Sequence, residues 1–153
     1  MIQTKRIIFR PWIESDAEEL FHLASDPDVG PSAGWQPHSS VEQSLEIINT
    51  VFNSDHVWAL VQKDSSRLIG CMGYYDHSES NIGIDEGEAE VGYWIGKPFW
   101  NQGYCTEALR AMIDYCFNTN GFLPCGHTIS WTDQQTPKHV AFHPEMHVQH
   151  KRA

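Results

Sequence analysis

Two acidic side chains, Glu88 and Glu90, stand two residues apart in a segment that alternates in character from residue 88 to residue 95. This period of two predicts a β-strand with both carboxylates on one face. Two neighbouring negative charges hold a proton more tightly than one, which suits a general base working near neutral pH. We expect Glu90 to be the better base because it lies deeper in the strand. The alternative is the polar outer face of a half-buried strand. Other candidates nearby are Asp76, His77, Asp85 and Glu86.

The strand leads through a short loop into a helical pattern, with apolar residues three and four apart from residue 108 to residue 117. Thr106 and Glu107 mark its predicted start. The first N–H groups of a helix lack intrahelical partners and carry partial positive charge, and Gly103 lets a ligand approach the backbone closely. A phosphate would contact the amides of residues 102–106, although an ordinary strand–helix turn explains the same pattern. The sequence has no Walker lysine and no G-x-G-x-x-G, which disfavours a P-loop or a Rossmann site.

Residues 93–109, YWIGKPFWNQGYCTEAL, resemble the cofactor-binding motif of GNAT acetyltransferases, in the version found in ribosomal-protein N-terminal acetyltransferases of the RimJ/RimL type. The family pattern Gln/Arg-x-x-Gly-x-Gly/Ala falls on Trp100, Gly103 and Cys105. Tryptophan at the first position is familiar for this branch, whereas cysteine at the last is a departure. Residues 4–20, TKRIIFRPWIESDAEEL, resemble the opening of the same branch, so the resemblance extends from residue 4 to residue 118.

The resemblance implies acetyl-CoA as co-substrate and no metal. Backbone amides at the helix start would hold the pyrophosphate, and the end of the strand would pair with the pantetheine. The implied cofactor-binding residues are Trp94, Ile95, Gln102, Gly103, Tyr104, Cys105 and Thr106. Glu90 and Glu88 are then the candidate catalytic residues. Trp35 is the candidate substrate contact, because its loop forms one wall of the acceptor site in this family; a loop anchor packed on the core is the alternative.

Composition and charge narrow the class of partner. The chain has 153 residues, 41% of them hydrophobic, and a net charge of −10, which predicts one globular domain that repels nucleic acid and favours an amine or a basic peptide. An acidic surface that only keeps the protein in solution is the alternative. No apolar run is long enough for a membrane span. The four cysteines lack a C-x-x-C spacing, which favours reduced thiols and a cytoplasmic location.

The remaining patterns predict an α+β (mixed α/β) fold, and the resemblance specifies the GNAT fold, with a mostly antiparallel central sheet flanked by helices. Capping boxes at Ser15–Glu18 and at Ser40–Gln43 predict the first two helices, while residues 26–38 are expected to form an irregular loop. The predicted strands cover residues 4–12, 57–63, 68–75 and 88–95, and the predicted helices cover 15–25, 41–53 and 106–118. Gly70 and Gly73 indicate a bulge or a close approach of backbones.

After residue 123 the chain departs from the family pattern, so we predict an acetyltransferase domain at 1–123 and a divergent segment at 124–153. We expect the C-terminal part of the fold to be atypical or incomplete; one hypothesis is a shifted reading frame or a truncation. A strand at residues 127–131 and a helix from residue 136 to residue 142 are expected there. A rival interpretation is a Zn²⁺ site, because histidines recur four residues apart at His139, His143 and His147, with His150, His127 or Cys125 as further ligands, although Pro144 interrupts the repeat.

The leading prediction is an acetyl-CoA-dependent N-acetyltransferase. It would move an acetyl group to a primary amine, such as a small molecule or a protein N-terminal α-amine, by direct attack on the thioester. The alternative is a catalytically weak or inactive acyl-CoA-binding or partner-binding module of the same fold. Homo-oligomerisation stays open, since a C-terminus poor in strands would leave a sheet edge that a second subunit could cover.

Overall fold

The computed structural model describes residues 1–79, 86–87, 89–119, 128–132, 139–142 and 147–151, the last three ranges and residue 32 by their backbone alone. The strands are β1 Ile7–Arg10, β2 Val57–Gln62, β3 Leu68–Tyr75, β4 Ala89–Ile95, β5 Thr128–Thr132, β6 His139–Phe142 and β7 His147–Lys151. The helices are α1 Ala17–Ala24, α2 Val29–Ala33, α3 Val41–Asn49 and α4 Tyr104–Asn118, with 3₁₀ turns at Glu14–Asp16 and Lys97–Phe99.

Five strands form one sheet in the order β1-β2-β3-β4-β6, and each neighbouring pair is antiparallel. Strands β5 and β7 form a separate parallel pair. Helices α1–α3 lie between β1 and β2 in the chain, and α4 follows β4, so helices and strands do not alternate regularly. This arrangement confirms the predicted α+β class with a mostly antiparallel central sheet.

Helices cover both faces of the sheet, and the alternation of β4 serves both layers. On one face, Tyr115 of α4 contacts the rings of Trp58 and Tyr74, with centroids 5.6 and 6.3 Å away. On the other face, Trp94 of β4 meets the ring of Trp35 at 5.7 Å. Consecutive residues of β4 therefore reach two different environments, one under α4 and one beside α2 and α3.

Helix α3, the second of the predicted helices, has Ser40 as its N-cap, as its sequence indicated. The Ser40 side chain accepts a hydrogen bond from the Gln43 N–H at 3.0 Å, and the Gln43 side chain accepts one from the Ser39 N–H. These reciprocal bonds satisfy donors that the first helical turn leaves without partners. Helix α3 then ends at Asn49, four residues earlier than predicted.

The first helix occupies the predicted segment, but the capping box assigned to Ser15 is wrong. Asp16 is the N-cap of α1, and its carboxylate accepts bonds from the Ile13 N–H at 3.1 Å and from both terminal nitrogens of Arg10 at 2.7 and 2.8 Å. Asp16 is buried, and a buried carboxylate needs such a partner. The 3₁₀ turn before α1 consequently ties the helix to β1.

The expectation of an irregular loop at residues 26–38 is also wrong, because α2 lies within it. Pro31 falls in the first turn of α2, where the missing N–H breaks no intrahelical bond. Gly34 ends the helix with a φ of 94°, a left-handed conformation that glycine adopts without strain. The segment has enough local order to hold Trp35 in a fixed place.

Two further predictions need correction. Helix α4 begins at Tyr104, two residues earlier than expected, because Gly103 takes the N-cap position with a φ of 80°. The segment His139–Phe142 is a strand that pairs with β4, and not part of a helix. The predicted strand near residue 127 is confirmed in the range of β5.

Candidate active site

The end of β4 is the first element of the site. Strand β6 pairs with β4 from Ala89 to Gly92. In the described part of the chain, no strand pairs with the same edge from Tyr93 to Ile95. A Cβ at Gly70 would lie 2.3 Å from the Trp94 carbonyl oxygen, so glycine confirms the predicted close approach of β3 and β4 here. The open edge offers backbone groups to a ligand that can pair like a strand.

The loop after β4 is fixed by a side chain at the first position of the sequence motif. The indole N–H of Trp100 donates to the Ile95 carbonyl oxygen at 2.7 Å. The amide of Gln102 donates to the Pro98 carbonyl at 2.8 Å. These bonds hold residues 96–103 against the strand, and they set where α4 begins.

Gly103 gives α4 a start without a side-chain cap. Its φ of 80° is costly for any residue with a Cβ, and a Cβ there would lie 3.4 Å from the Arg6 Nη2 atom. The N-terminal end of α4 therefore combines a bare backbone with the positive end of the helix dipole, two features that favour an anion. The nearby Arg6 guanidinium is paired with the Glu107 carboxylate.

Arg6 and the first turn of α4 are joined across the sheet edge. Glu107 accepts bonds from the Arg6 N–H at 2.9 Å, from Arg6 Nε at 2.7 Å and from the Thr4 hydroxyl. The Arg6 guanidinium also lies 4.1 Å from the centre of the Tyr104 ring, and the Tyr104 hydroxyl accepts a bond from Gln62 at 2.7 Å. The sequence motif contained Glu107 but gave no sign of its partner.

Tyr93 and Cys105 account for the departure from the family pattern at the last motif position. Tyr93 is 4% exposed and lies on the α4 side of the sheet. Burial, reinforced by the neighbouring Cys105, raises the pKa of the Tyr93 hydroxyl. Cys105 thus sits where α4 packs on β4, so its side chain is part of the helix–strand contact.

A cavity of about 470 Å³ opens on the other face of the sheet, between α3, residues 33–38 and the ends of β3 and β4; this is called the cleft below. Such a volume is typical of small-molecule sites. Its walls are mainly aromatic and aliphatic, and its side chains include Trp35, Ile47, Phe52, Val57, Tyr75 and Trp94. Trp35 lies where the sequence predicted, and a Cβ at Gly30 would lie 2.7 Å from its ring.

His38 is a polar member of the cleft that the sequence did not single out. Its Nδ1 lies 2.8 Å from the hydroxyl of the buried Ser44, and its ring tilts against Trp35 at 5.2 Å. Burial lowers the pKa of His38, so its imidazole is neutral at pH 7. Its position two residues before the Ser40 cap was a usable signal, because it places the imidazole at the start of α3.

The candidate bases lie in different environments. Glu90 is 1% exposed, pairs in register with Tyr75 and shares the face of β4 that carries Trp94. Burial, and after it the nearby Cys71 and Glu90, raises the pKa of Tyr75. The alternatives Glu86 and His77 are exposed, and the Asp76 carboxylate accepts bonds from Ser78. Glu88 and Asp85 lie outside the described residues.

An open strand edge, a glycine-capped helix start and an adjoining cleft together define an acyltransferase of the coenzyme A-dependent class. A family model described as "Acetyltransferase (GNAT) domain" matches residues 6–144. The chain belongs to this family of N-acetyltransferases, and its fold is the GNAT fold. The predicted GNAT family and the class of enzyme are thereby confirmed, while the RimJ/RimL branch stays a prediction. The division of the chain at residue 123 and the individual roles of the site residues stay predictions.

Relatives agree with this placement. The uncharacterised N-acetyltransferase YoaA of Bacillus subtilis (strain 168) is 26% identical over 140 residues, which cover 88% of this chain and 76% of YoaA. A Vibrio cholerae structure, assigned as a ribosomal-protein-serine acetyltransferase, is 25% identical with a TM-score of 0.61, covering 80% of this chain and 69% of the other. A GNAT-family acetyltransferase from Bacillus anthracis shares the fold with a TM-score of 0.61 at 20% identity. That alignment covers 76% of this chain and 65% of the other, so the chain spans about two thirds of that relative's length.

Two other expectations concern metals and membranes. Over the described ranges, His/Cys/Asp/Glu side chains do not form any group of three or more that could hold a metal ion. The rival zinc site required a helix carrying its histidines, but His139 and His147 begin two separate strands, and His143 lies outside the described residues. Among the helices that the structure describes, none has the length and apolar character to cross a membrane.

Proposed function

We propose that the chain transfers an acetyl group from acetyl-CoA to a primary amine by direct attack on the thioester. The observation that carries this proposal is the open edge of β4 at Tyr93–Ile95, directly beside the glycine-capped start of α4, in a member of the GNAT family. One element offers strand-like pairing, and the other offers amides and positive charge. The strand edge also reaches the cleft, which Tyr93 and Trp94 line, and an acceptor can enter there.

The cofactor would be held mainly by main chain. Amides of Gln102 to Thr106 would bind the pyrophosphate, with the bare backbone of Gly103 allowing close contact. Trp94 and Ile95 would pair with the pantetheine through the strand edge. The same backbone would stabilise the charge that develops on the carbonyl oxygen during attack. Acetyl-CoA would supply the activated acetyl group, and the described residues need no metal for this chemistry.

Glu90 is the proposed general base, with Glu88, two residues earlier in the sequence, as the second carboxylate. An ammonium ion has no lone pair, so the acceptor must lose a proton before it attacks. Glu90 is buried on the face of β4 that also carries Trp94, which lines the cleft. A carboxylate in this place can take the proton directly or through a water molecule.

The environment of Cys71 supports direct attack over a covalent acetyl-enzyme. Within the described residues, Cys71 is the cysteine that lines the cleft. Burial, partly opposed by Trp12, raises the pKa of the Cys71 thiol to about 12. The nucleophilic form of cysteine is the thiolate. At neutral pH this thiol stays protonated, which supports direct attack of the amine on the thioester.

The finer assignments rest on the resemblance to the RimJ/RimL branch and on the name of the Vibrio cholerae relative. The first is a protein N-terminal α-amine as one acceptor. The second is a reducing cytoplasm as the setting. The third is that the protein has no nucleic-acid or membrane partner. A second subunit that covers a sheet edge other than the open edge of β4 belongs to the same group of proposals. None of them is needed for acetyl transfer itself.

Calorimetric titration with acetyl-CoA and a thiol-release assay against a panel of primary amines test the proposal together. We expect saturable binding and release of one thiol for each amine acetylated. Binding without thiol release from any amine would favour the alternative of an acyl-CoA-binding module. A titration without heat and without a thermal shift would contradict both.

A further inference from the structure

We infer that the acceptor carries its primary amine on an uncharged apolar body, aromatic or branched, rather than on a polyamine or a basic peptide. The inference rests on the proposed function and specifies the substrate class of the same cleft. The net charge of −10 by itself predicts a cationic acceptor, because an acidic surface attracts positively charged partners. The lining of the cleft is more specific than the overall charge.

The walls favour an apolar occupant. Trp35 and Trp94 meet edge to face with ring centroids 5.7 Å apart, and Ile47, Phe52 and Val57 complete an aliphatic and aromatic surface. The described side chains that line the cleft include no Asp, Glu, Lys or Arg. A second ammonium group would therefore lose its hydration there without gaining a carboxylate partner. An aromatic ring has no comparable hydration to lose, and it gains contact area with the walls of the cleft.

The floor of the cleft leaves room for a ring. Gly73 and Gly92 are direct partners in the β3–β4 register, and both line the cleft. The sheet is therefore bare backbone between Tyr75 and Trp94. Gly73 accepts no larger residue, since a Cβ would lie 2.7 Å from the His56 carbonyl oxygen. The paired glycines make a flat depression, with Tyr75 and its register partner Glu90 at one end and Trp94 at the other. This shape fits a planar or branched group next to the carboxylate proposed as the base.

His38 is suited to form a hydrogen bond with the polar end of such a molecule, and this bond does not require the molecule to be charged. Ser44 engages its Nδ1, while Nε2 has no hydrogen-bond partner among the described residues. A neutral imidazole offers one hydrogen bond and does not repel an incoming ammonium ion. The cleft thus provides a few polar side chains, His38, Gln36 and Gln43, beside the apolar walls, as small-molecule sites commonly do.

The test compares 2-phenylethylamine and isoamylamine with spermidine and a lysine-rich tripeptide in the thiol-release assay. We expect kcat/KM for the apolar amines to exceed that for the cationic ones by roughly 100-fold. Gly92→Val should fill the depression and lower kcat/KM for 2-phenylethylamine by about 10-fold or more, while ethylamine is affected less. Equal or better turnover of spermidine or the tripeptide would overturn the inference.

Because Gly92→Val could fail to fold, Trp35→Leu provides a second variant. It removes an aromatic wall, and the half-buried Phe21→Leu outside the cleft is its matched control. Saturable binding of 2-phenylethylamine, followed by NMR saturation transfer in the presence of coenzyme A, gives a readout independent of turnover. If Trp35→Leu weakens this binding and Phe21→Leu does not, the inference is supported even when no thiol is released. Absence of thiol release would contradict only the proposed function. Absence of saturable binding to the unaltered chain would overturn the inference.

Discussion

Glu107 accepts hydrogen bonds from both the backbone N–H and the Nε of Arg6, at 2.9 and 2.7 Å, although 101 residues separate them in the chain. This double contact fixes the first turn of α4 against β1. The start of α4 is also where the cofactor phosphates are proposed to bind. The stability of the fold and the geometry of the site therefore depend on the same carboxylate.

Glu107→Gln should destabilise the chain by about 1–3 kcal/mol, because the partners of the carboxylate lose charge-assisted bonds. Burial by itself would raise the pKa of Glu107, but bonds from Thr4 and Arg6 outweigh it and hold that pKa below its usual value. A depressed pKa in the folded state contributes stability that is present above the unfolded value and lost as pH falls through the folded one. Urea unfolding at pH 7 and pH 4 should show the unaltered chain losing more stability than the variant. An equal loss in both would contradict this account.

Gly103→Ala should weaken acetyl-CoA binding by about 10-fold, equivalent to about 1.4 kcal/mol, because the helix start must accommodate a Cβ. Gly87→Ala is the matched control, since Gly87 has a φ of 85° and open space around it. Both variants should lose a similar amount of folding stability, about 1–2 kcal/mol, from the positive φ. Isothermal titration should separate them. If both lose affinity equally, the effect comes from backbone strain and not from the phosphate site.

Glu90→Gln should lower kcat by about 100-fold or more while leaving the acetyl-CoA dissociation constant unchanged, because the amide cannot accept the proton. The exposed Glu18→Gln serves as a control for the loss of one negative charge. The readouts are kcat across pH 6 to 9, the dissociation constant and the melting temperature. Unaltered kcat in a folded Glu90→Gln protein would remove this residue as the base.

Cys71→Ser should keep kcat within about threefold of the unaltered chain, since a thiol with a pKa of about 12 does not act as the nucleophile at neutral pH. Mass spectrometry of the protein mixed with acetyl-CoA should find no acetyl group on the enzyme before the amine is added. An acetylated Cys71, together with loss of activity in the serine variant, would establish a two-step mechanism instead.

His38→Asn should flatten the dependence of stability on pH. Burial lowers the pKa of His38 below the unfolded value of about 6.5, so the unfolded chain takes up the proton first as pH falls. The contribution is fully present above pH 6.5 and declines through the folded pKa. Urea unfolding at pH 7.5 and pH 5.5 should show a smaller loss for His38→Asn than for the unaltered chain, whereas His22→Asn at an exposed position should not differ from it.

Local patterns in the sequence determined much of the secondary structure. The continuous apolar run of β3, the alternation of β4 and the Ser40 cap of α3 were all predictable, because each depends on neighbours within four residues. The motif around Gly103 likewise identified the helix start within two residues. Local signals failed at Pro31 and Asp16. There a proline fits into a first turn, and Asp16, which is bonded to Arg10 six residues earlier, takes the N-cap position in place of Ser15.

The tertiary structure alone brought Glu107 to Arg6 and paired Gly73 with Gly92 beneath an aromatic cleft. These contacts join residues on different elements. They depend on strand register and on how helices pack across a sheet, which no local period encodes. The sequence thus determined the family and the elements that carry the chemistry. The packing of those elements decided the shape and polarity of the space in which an acceptor would meet the thioester.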